Sequence, residues 1–174
     1  RIGKLYAAGL GCEQDYGEAA RWFQLSVDKE YKYAQYSLAG LFRRRQGVEQ
    51  DDVRALELYT ASAHQDFPYA AYELGKMYQD GIGCEKDTEV SEQWYQQAFA
   101  GFLELEQQSH DDKLQYRIGW MLLHGVGTGK DEAAARGWFE RASKLGNPHA
   151  QYQLAKMILD APSSTPEQTA QALE

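Results

Sequence analysis

The ten residues YQDGIGCEKD, 78–87, crowd reactive groups into one short stretch. Glycines at 81 and 83 could let backbone amides close on a phosphate. The acids Asp80, Glu85 and Asp87 could hold a cation, and Cys84 could act as nucleophile or metal ligand. A second stretch, GVGTGK at 125–130, again suggests phosphate, and His110-Asp111-Asp112 is the densest gathering of metal-type donors.

Spacing speaks against each. A P-loop needs G-x-x-x-x-G-K-[ST] after a strand, whereas Asp131 follows Lys130 here and the preceding segment has a helical pattern. The histidines stand at 64, 110, 124 and 149, with no i,i+4 pair and no thiolate partner. No segment alternates oxygen ligands over the roughly twelve residues of a calcium loop. No position gathers paired carboxylates for acid–base work. The expectation is therefore no catalytic residue, no metal and no cofactor, with a phosphate- or metal-binding enzyme built on the Gly-rich turns kept as a contrast.

The elements that carry these stretches repeat. IGKLYAAGLGCEQD (2–15), LAGLFRRRQGVEQD (38–51), LGKMYQDGIGCEKD (74–87) and IGWMLLHGVGTGKD (118–131) share one frame. A small residue recurs at Gly3, Ala39, Gly75, Gly119 and Ala155, in steps of 36, 36, 44 and 36. After each closing aspartate come a small residue (Ala19, Ala55, Ser91, Ala135) and a bulky pair (Trp22-Phe23, Leu58-Tyr59, Trp94-Tyr95, Trp138-Phe139). A further small pair follows, beginning at Ser26, Ser62, Ala98 and Ala142. Spacings of 4, 7, 8 and 11 trace one helix face. Each unit reads as two antiparallel helices joined by a Gly-containing turn, stabilised by stacking on its neighbours. The fold class is all-α, an α/α superhelix of about four repeats plus a partial fifth.

The repeats fall at about 1–30 (first helix incomplete), 31–66, 67–109, 110–146 and 147–174 (incomplete), forming a single domain. Asp15, Asp51, Asp87 and Asp131 are N-caps of second helices, and Asp15 with Glu18 has capping-box spacing. Ser109 with Asp112, and Asn147 before Pro148, open later first helices. Thr165-Pro166-Glu167 marks the start of a fifth second helix, with Gln168–Leu173 as its stub. Cys12 and Cys84 share a repeat position with Val48 and Thr128, which reads as small core fillers.

The remaining composition sets outer limits. A chain of 174 residues can bury a core without staples. The net charge of −8 argues against direct nucleic-acid binding, which needs a basic excess. No apolar run approaches the roughly 20 residues of a bilayer span. Two cysteines without disulfide spacing favour a reducing compartment, so the expected location is cytoplasmic. The chain starts on Arg1 without an initiator Met and is expected to be a cropped array, with end-to-end self-association as one consequence.

The motifs A-x-Y-x-L-G-x-x-Y-x-x-G-x-G-x-x-x-D and A-x-x-W-Y/F-x-x-A, repeated along essentially the whole chain, resemble the Sel-one-like repeat family, a relative of the tetratricopeptide repeats. The resemblance implies a non-enzymatic adaptor or scaffold for other proteins, with first helices lining a concave groove. Wording such as YAAYELGKMYQDGIGCEKD also looks like the repeat tails of relaxase proteins from Gram-positive mobile elements. A relaxase's histidine cluster is missing, so that alternative implies only an accessory region.

Two units depart from the pattern. Arg43-Arg44-Arg45-Gln46 replaces the first turn glycine of the second unit. The third unit carries eight extra residues within 101–109, implying either a protruding helix end or a shift in the stacking. On the family analogy the groove positions lie six and three before the small residue, and one, four and five after it. They select Tyr33, Tyr36, Arg43 and Arg44; Tyr69, Tyr72 and Lys76; Tyr116, Trp120 and His124; Tyr152 and Lys156. Aromatics and arginines are frequent interface anchors. Tyr36, Tyr72, Tyr116 and Tyr152 keep register and are read either as binding residues or as packing between units. The basic members suit an acidic or extended peptide segment of a partner protein.

Overall fold

The computed structural model describes residues 1–27, 29 and 31–160. The segment proposed as a fifth second helix, Thr165 to Leu173, lies outside them. Among the described residues the chain is all-α: α1 Ile2–Ala8, α2 Tyr16–Val27, α3 Lys32–Arg44, α4 Asp52–Ala63, α5 Pro68–Asp80, α6 Thr88–Ser109, α7 Asp112–His124, α8 Glu132–Lys144 and α9 Pro148–Leu159. They form an α-solenoid of antiparallel helix pairs, divided into a unit covering Arg1–Gly101 and a second one beginning at Phe102.

Helix starts follow the aspartates. Asp15 accepts from the Glu18 amide at 2.9 Å, Asp51 from Arg54 at 2.8 Å and Asp131 from Ala134 at 2.8 Å. Asp87 accepts from Glu89 and Val90, both at 3.0 Å. The capping box at Asp15 is only half made, because the Glu18 carboxylate turns to Arg21 at 2.8 Å. Asn147 caps α9 as expected, accepting from Ala150 at 2.9 Å. At α7 the cap is Asp111, accepting from Leu114 at 2.9 Å. Ser109 belongs instead to the end of α6, where its hydroxyl donates back to the Leu105 carbonyl.

The small positions exist because an aromatic of the partner helix lies on them. A Cβ at Gly3 would stand 2.8 Å from the Phe23 ring, at Gly75 2.6 Å from Tyr95 and at Gly119 2.8 Å from Phe139. The second member of each bulky pair is the buried one: Phe23, Tyr59, Tyr95 and Phe139 are all under 8% exposed. Each such ring removes about 150–250 Å² from water and is a main source of the pair's stability. Ser91, replacing alanine in the third pair, donates to the Gly75 carbonyl at 2.7 Å, so its buried hydroxyl is satisfied.

The turns do two jobs. Gly9, Gly81 and Gly125 end first helices in the left-handed region. In the second repeat Arg45 takes that conformation itself, at φ 53°, so the lost glycine leaves the turn intact under strain. The next glycine is the stacking contact. A Cβ at Gly47 would come within 2.2 Å of the Tyr16 backbone, and one at Gly83 within 2.3 Å of the Asp52 carbonyl. Each of these two turns thus lies backbone-to-backbone on the first turn of the preceding pair's second helix.

The extra residues of the third repeat are helical and make α6 22 residues long. At 1.5 Å per residue that is about 33 Å. The added turns do not project. In the second unit Phe102 is fully buried and Glu106 is 8% exposed. Gln115 of α7 donates to Glu106 at 2.8 Å, and the Arg117 guanidinium lies over the Phe102 ring at 5.5 Å.

Candidate protein-binding face

The helical register brings the first helices of neighbouring repeats side by side and leaves a cleft between them. In the first unit α1 supplies Lys4, Ala7 and Ala8, and α3 supplies Tyr36, Ser37, Gly40, Leu41 and Arg44. Tyr16, Phe23 and Tyr59 of the second helices close its floor, and the cleft measures ≈ 530 Å³. In the second unit the same place in the repeat is a cleft of ≈ 630 Å³ between α7 and α9. Its walls are Leu123 and His124 on one side and Gln153, Lys156, Met157 and Asp160 on the other, with Glu132 and Arg136 below.

The residues selected from sequence divide between these clefts, an aromatic cluster and internal contacts. Tyr36 and Arg44 line the α1–α3 cleft, and His124 and Lys156 line the α7–α9 cleft. Arg44 Nε donates to Gln46 Oε1 at 2.9 Å. Arg43 turns instead to Asp52 at the start of α4, with Nε 3.4 Å from Oδ1. That pair is poorly aligned: Arg43 Nη1 and Asp52 Oδ1 are buried without a hydrogen-bond partner. Lys76 is paired to Glu73 at 3.5 Å. Trp120 stacks on His124 with centroids 4.3 Å apart, and His124 Nδ1 donates to the Trp120 carbonyl at 2.9 Å.

The in-register tyrosines have packing partners. Tyr36 meets Tyr59 at 5.5 Å, Tyr72 meets Tyr95 at 5.4 Å and Tyr116 meets Phe139 at 5.7 Å. Each contact is to the buried aromatic of its own repeat. All three tyrosines are half-buried, so each packs while keeping part of its surface outward. Tyr152 differs, being 67% exposed. Tyr33 and Tyr69 join a cluster built on Phe67, 5.0 and 5.5 Å away, to which exposed Tyr31 adds an edge. Lys4 and Lys32 stand over the Tyr33 ring at 5.6 and 6.0 Å.

Sequence reasoning passed over Lys4, Gly40, Tyr16 and Tyr59. Lys4 follows the small residue Gly3 and so occupies the same position as Lys76, Trp120 and Lys156; the rule applied to the first repeat would have found it. Gly40 is the glycine at that position, a signal by its oddness. Tyr59 is 3% exposed, and burial, followed by Glu73, pushes its phenol well above the usual tyrosine range.

The reactive-looking turns have other work. Gly83 faces the Asp52 carbonyl oxygen, which occupies and repels the place an anion would take. Cys84 Sγ lies 3.6 Å from the Ile82 carbonyl, and burial, then Asp87, raise its thiol pKa, opposite to what a nucleophile needs. Cys12, expected as a core filler, is exposed; its turn neighbour Gly11 has nothing among the described residues within 4 Å of a Cβ. Among the described residues no three or more His, Cys, Asp or Glu side chains gather as a metal site. No helix among them is long and apolar enough to cross a membrane.

The Sel1 repeat model matches residues 1–31, 32–67, 68–101, 113–147 and 148–174, passing over the added turns of α6. Among solved structures the chain is similar to a Sel1 repeat protein from Oxalobacter formigenes, at 27% identity and TM-score 0.63, over 99% of this chain and 67% of that one. It is also similar in fold to c5321, a protective antigen present in uropathogenic Escherichia coli strains and displaying an SLR fold. There the identity is 21% and the TM-score 0.61, over 98% of this chain and 43% of that one. No curated protein matches the sequence.

Proposed function

The chain belongs to the Sel1 repeat family, and on that premise we propose that it is a non-enzymatic scaffold holding a segment of a partner protein against its first helices. Sel1 repeat proteins are generally protein-interaction scaffolds. One observation carries the reading to this face: the second member of each second-helix bulky pair is buried within its repeat, whereas the first helices keep Lys4, Tyr36 and Arg44 along one open cleft and His124 and Lys156 along the other. Such side chains anchor interfaces when a partner desolvates them. The aromatic cluster at Tyr33 and Phe67 extends the α1–α3 cleft through Lys4.

The test is capture of a partner by the full chain, followed by comparison of variants. Arg44→Ala with Trp120→Ala should abolish capture, while Arg54→Ala, at an exposed position of α4, should leave it unchanged. Retention of every partner by the first variant would overturn the assignment.

A further inference from the structure

We propose that the α1–α3 cleft is an acid-selective pocket, taking a glutamate or aspartate side chain from an extended segment of a partner protein. The proposal rests on the scaffold reading and narrows it to one pocket and one chemistry.

The protein carries 26 acidic and 18 basic residues, yet the residues lining this cleft include two cations, Lys4 and Arg44, and no acid. Neither cation forms a salt bridge among the described residues, whereas Arg43 and Lys76, also selected on the first helices, are paired to Asp52 and Glu73. Lys4 rests over the Tyr33 ring, an arrangement that holds the ammonium without neutralising it. Arg44 uses Nε on Gln46 and leaves its two Nη groups over Gly40.

Gly40 makes that placement possible. A Cβ there would stand 2.9 Å from Arg44 Nη2 and 3.2 Å from Nη1, and the next atom is again Arg44 Cζ. Other repeats put Lys4, Lys76, Trp120 or Lys156 at this position. The missing side chain is thus replaced by the guanidinium of the residue one turn later, folded down into the cleft.

The polar lining completes a carboxylate site. The Tyr16 hydroxyl accepts from Gln14 Nε2 at 3.1 Å, which leaves its own proton to donate. The buried Tyr59 phenol stays protonated and is likewise a donor. Glu73 of α5 is near enough to bear on Tyr59, but Lys76 is its partner. Guanidinium, ammonium and phenol are each donors that recognise a carboxylate, the cations by charge-assisted hydrogen bonds, and all of them line this one cleft. The matching cleft of the second unit contains Glu132 and Asp160 beside His124, Arg136 and Lys156, and so meets its own charges.

A displayed library of random peptides, selected on the full chain, tests this. Selected sequences should be enriched in Asp or Glu, and the best one, made synthetically, should bind more weakly as salt rises. Its Gln/Asn version should lose affinity by about tenfold or more, the effect of removing a charge-assisted hydrogen bond. Lys4→Gln with Arg44→Gln should cause a similar loss. Gly40→Ala keeps both charges and favours the helix, so weaker binding in that variant reports displacement of Arg44 and not unfolding. Equal binding of acid and amide peptides, or unchanged binding to the Lys4/Arg44 variant, overturns the pocket while leaving the scaffold reading in place. A library that yields no binder counts against the scaffold reading itself and takes the pocket with it.

Discussion

The first unit is built from regular repeats, and the second begins with the one segment that breaks the repeat length. In the first, successive turns lie backbone-to-backbone on preceding helix starts, at Gly47 and Gly83. In the second, the end of α6 is fixed by a polar cluster: Glu106 accepts from Gln115 at 2.8 Å and from His110 at 3.1 Å. Apolar stacking needs only small residues at set places, so it tolerates variation elsewhere. A buried carboxylate needs named partners and is sensitive to each. Regular repetition therefore concentrates stability in glycines and aromatics, while an insertion concentrates it in a network the repeat never specified.

The largest expected effect tests the stacking half. Gly83→Ala places a Cβ against the Asp52 carbonyl and strains a positive φ, so it should cost about 3 kcal/mol in urea denaturation. Gly11→Ala, with φ 76° but open space, should cost only about 1 kcal/mol. Equal losses would break the claim that the second turn glycine is a stacking contact.

The network half is tested by Glu106→Ala, which strands the buried amide of Gln115, whose Oε1 already lacks a partner. A loss of about 2 kcal/mol is expected. Hydrogen exchange should place it in residues beyond Phe102 and leave the first four helices protected. The pH dependence has a definite sign. Burial opposes the Glu106 charge, but hydrogen bonds from Gln115 and His110 outweigh it and hold the carboxyl below the usual range. Its contribution is present above the ordinary glutamate value of about 4.3 and is lost as pH falls through the lowered folded value. Glu106→Ala should flatten that acid limb in a stability–pH curve.

Two smaller effects return to the irregular second repeat. Arg45→Gly relieves a left-handed arginine and should stabilise by about 0.5–1 kcal/mol, read as a raised denaturation midpoint. Arg54→Ala removes an exposed pair with Glu57 at 2.7 Å and should change stability by about 0.3 kcal/mol. A large effect there would show that surface pairs and not stacking hold α4.

Most of the architecture was legible in sequence because stacking imposes a period. Small positions, bulky pairs and capping aspartates all recur for one mechanical reason, and Asp51, Asp87 and Asp131 stand where the pattern put them. Departures from the period were visible, but their consequences were not. Arg45 could not be seen to keep the glycine conformation, nor Arg43 to turn toward Asp52, because both depend on a neighbouring backbone. The cap at α7 was misplaced to Ser109 since the added residues of α6 hid the helix end. The α1–α3 cleft was half legible: Tyr36 and Arg44 follow the rule, while Lys4 needed the first repeat and Gly40 needed the fold of Arg44 above it.

The contact of Gly47 and Gly83 with a preceding helix start also decides where such a chain can grow. A residue added inside one of these turns would lift its backbone off the neighbour and loosen two repeats at once. Extra length at the far end of a second helix disturbs no such contact and can be absorbed by new side-chain packing, as Phe102 and Glu106 absorb it here. Lineages of this architecture should accordingly vary in length at the C-terminal ends of their second helices and hold the turns constant, and grafted sequence should be placed by the same rule.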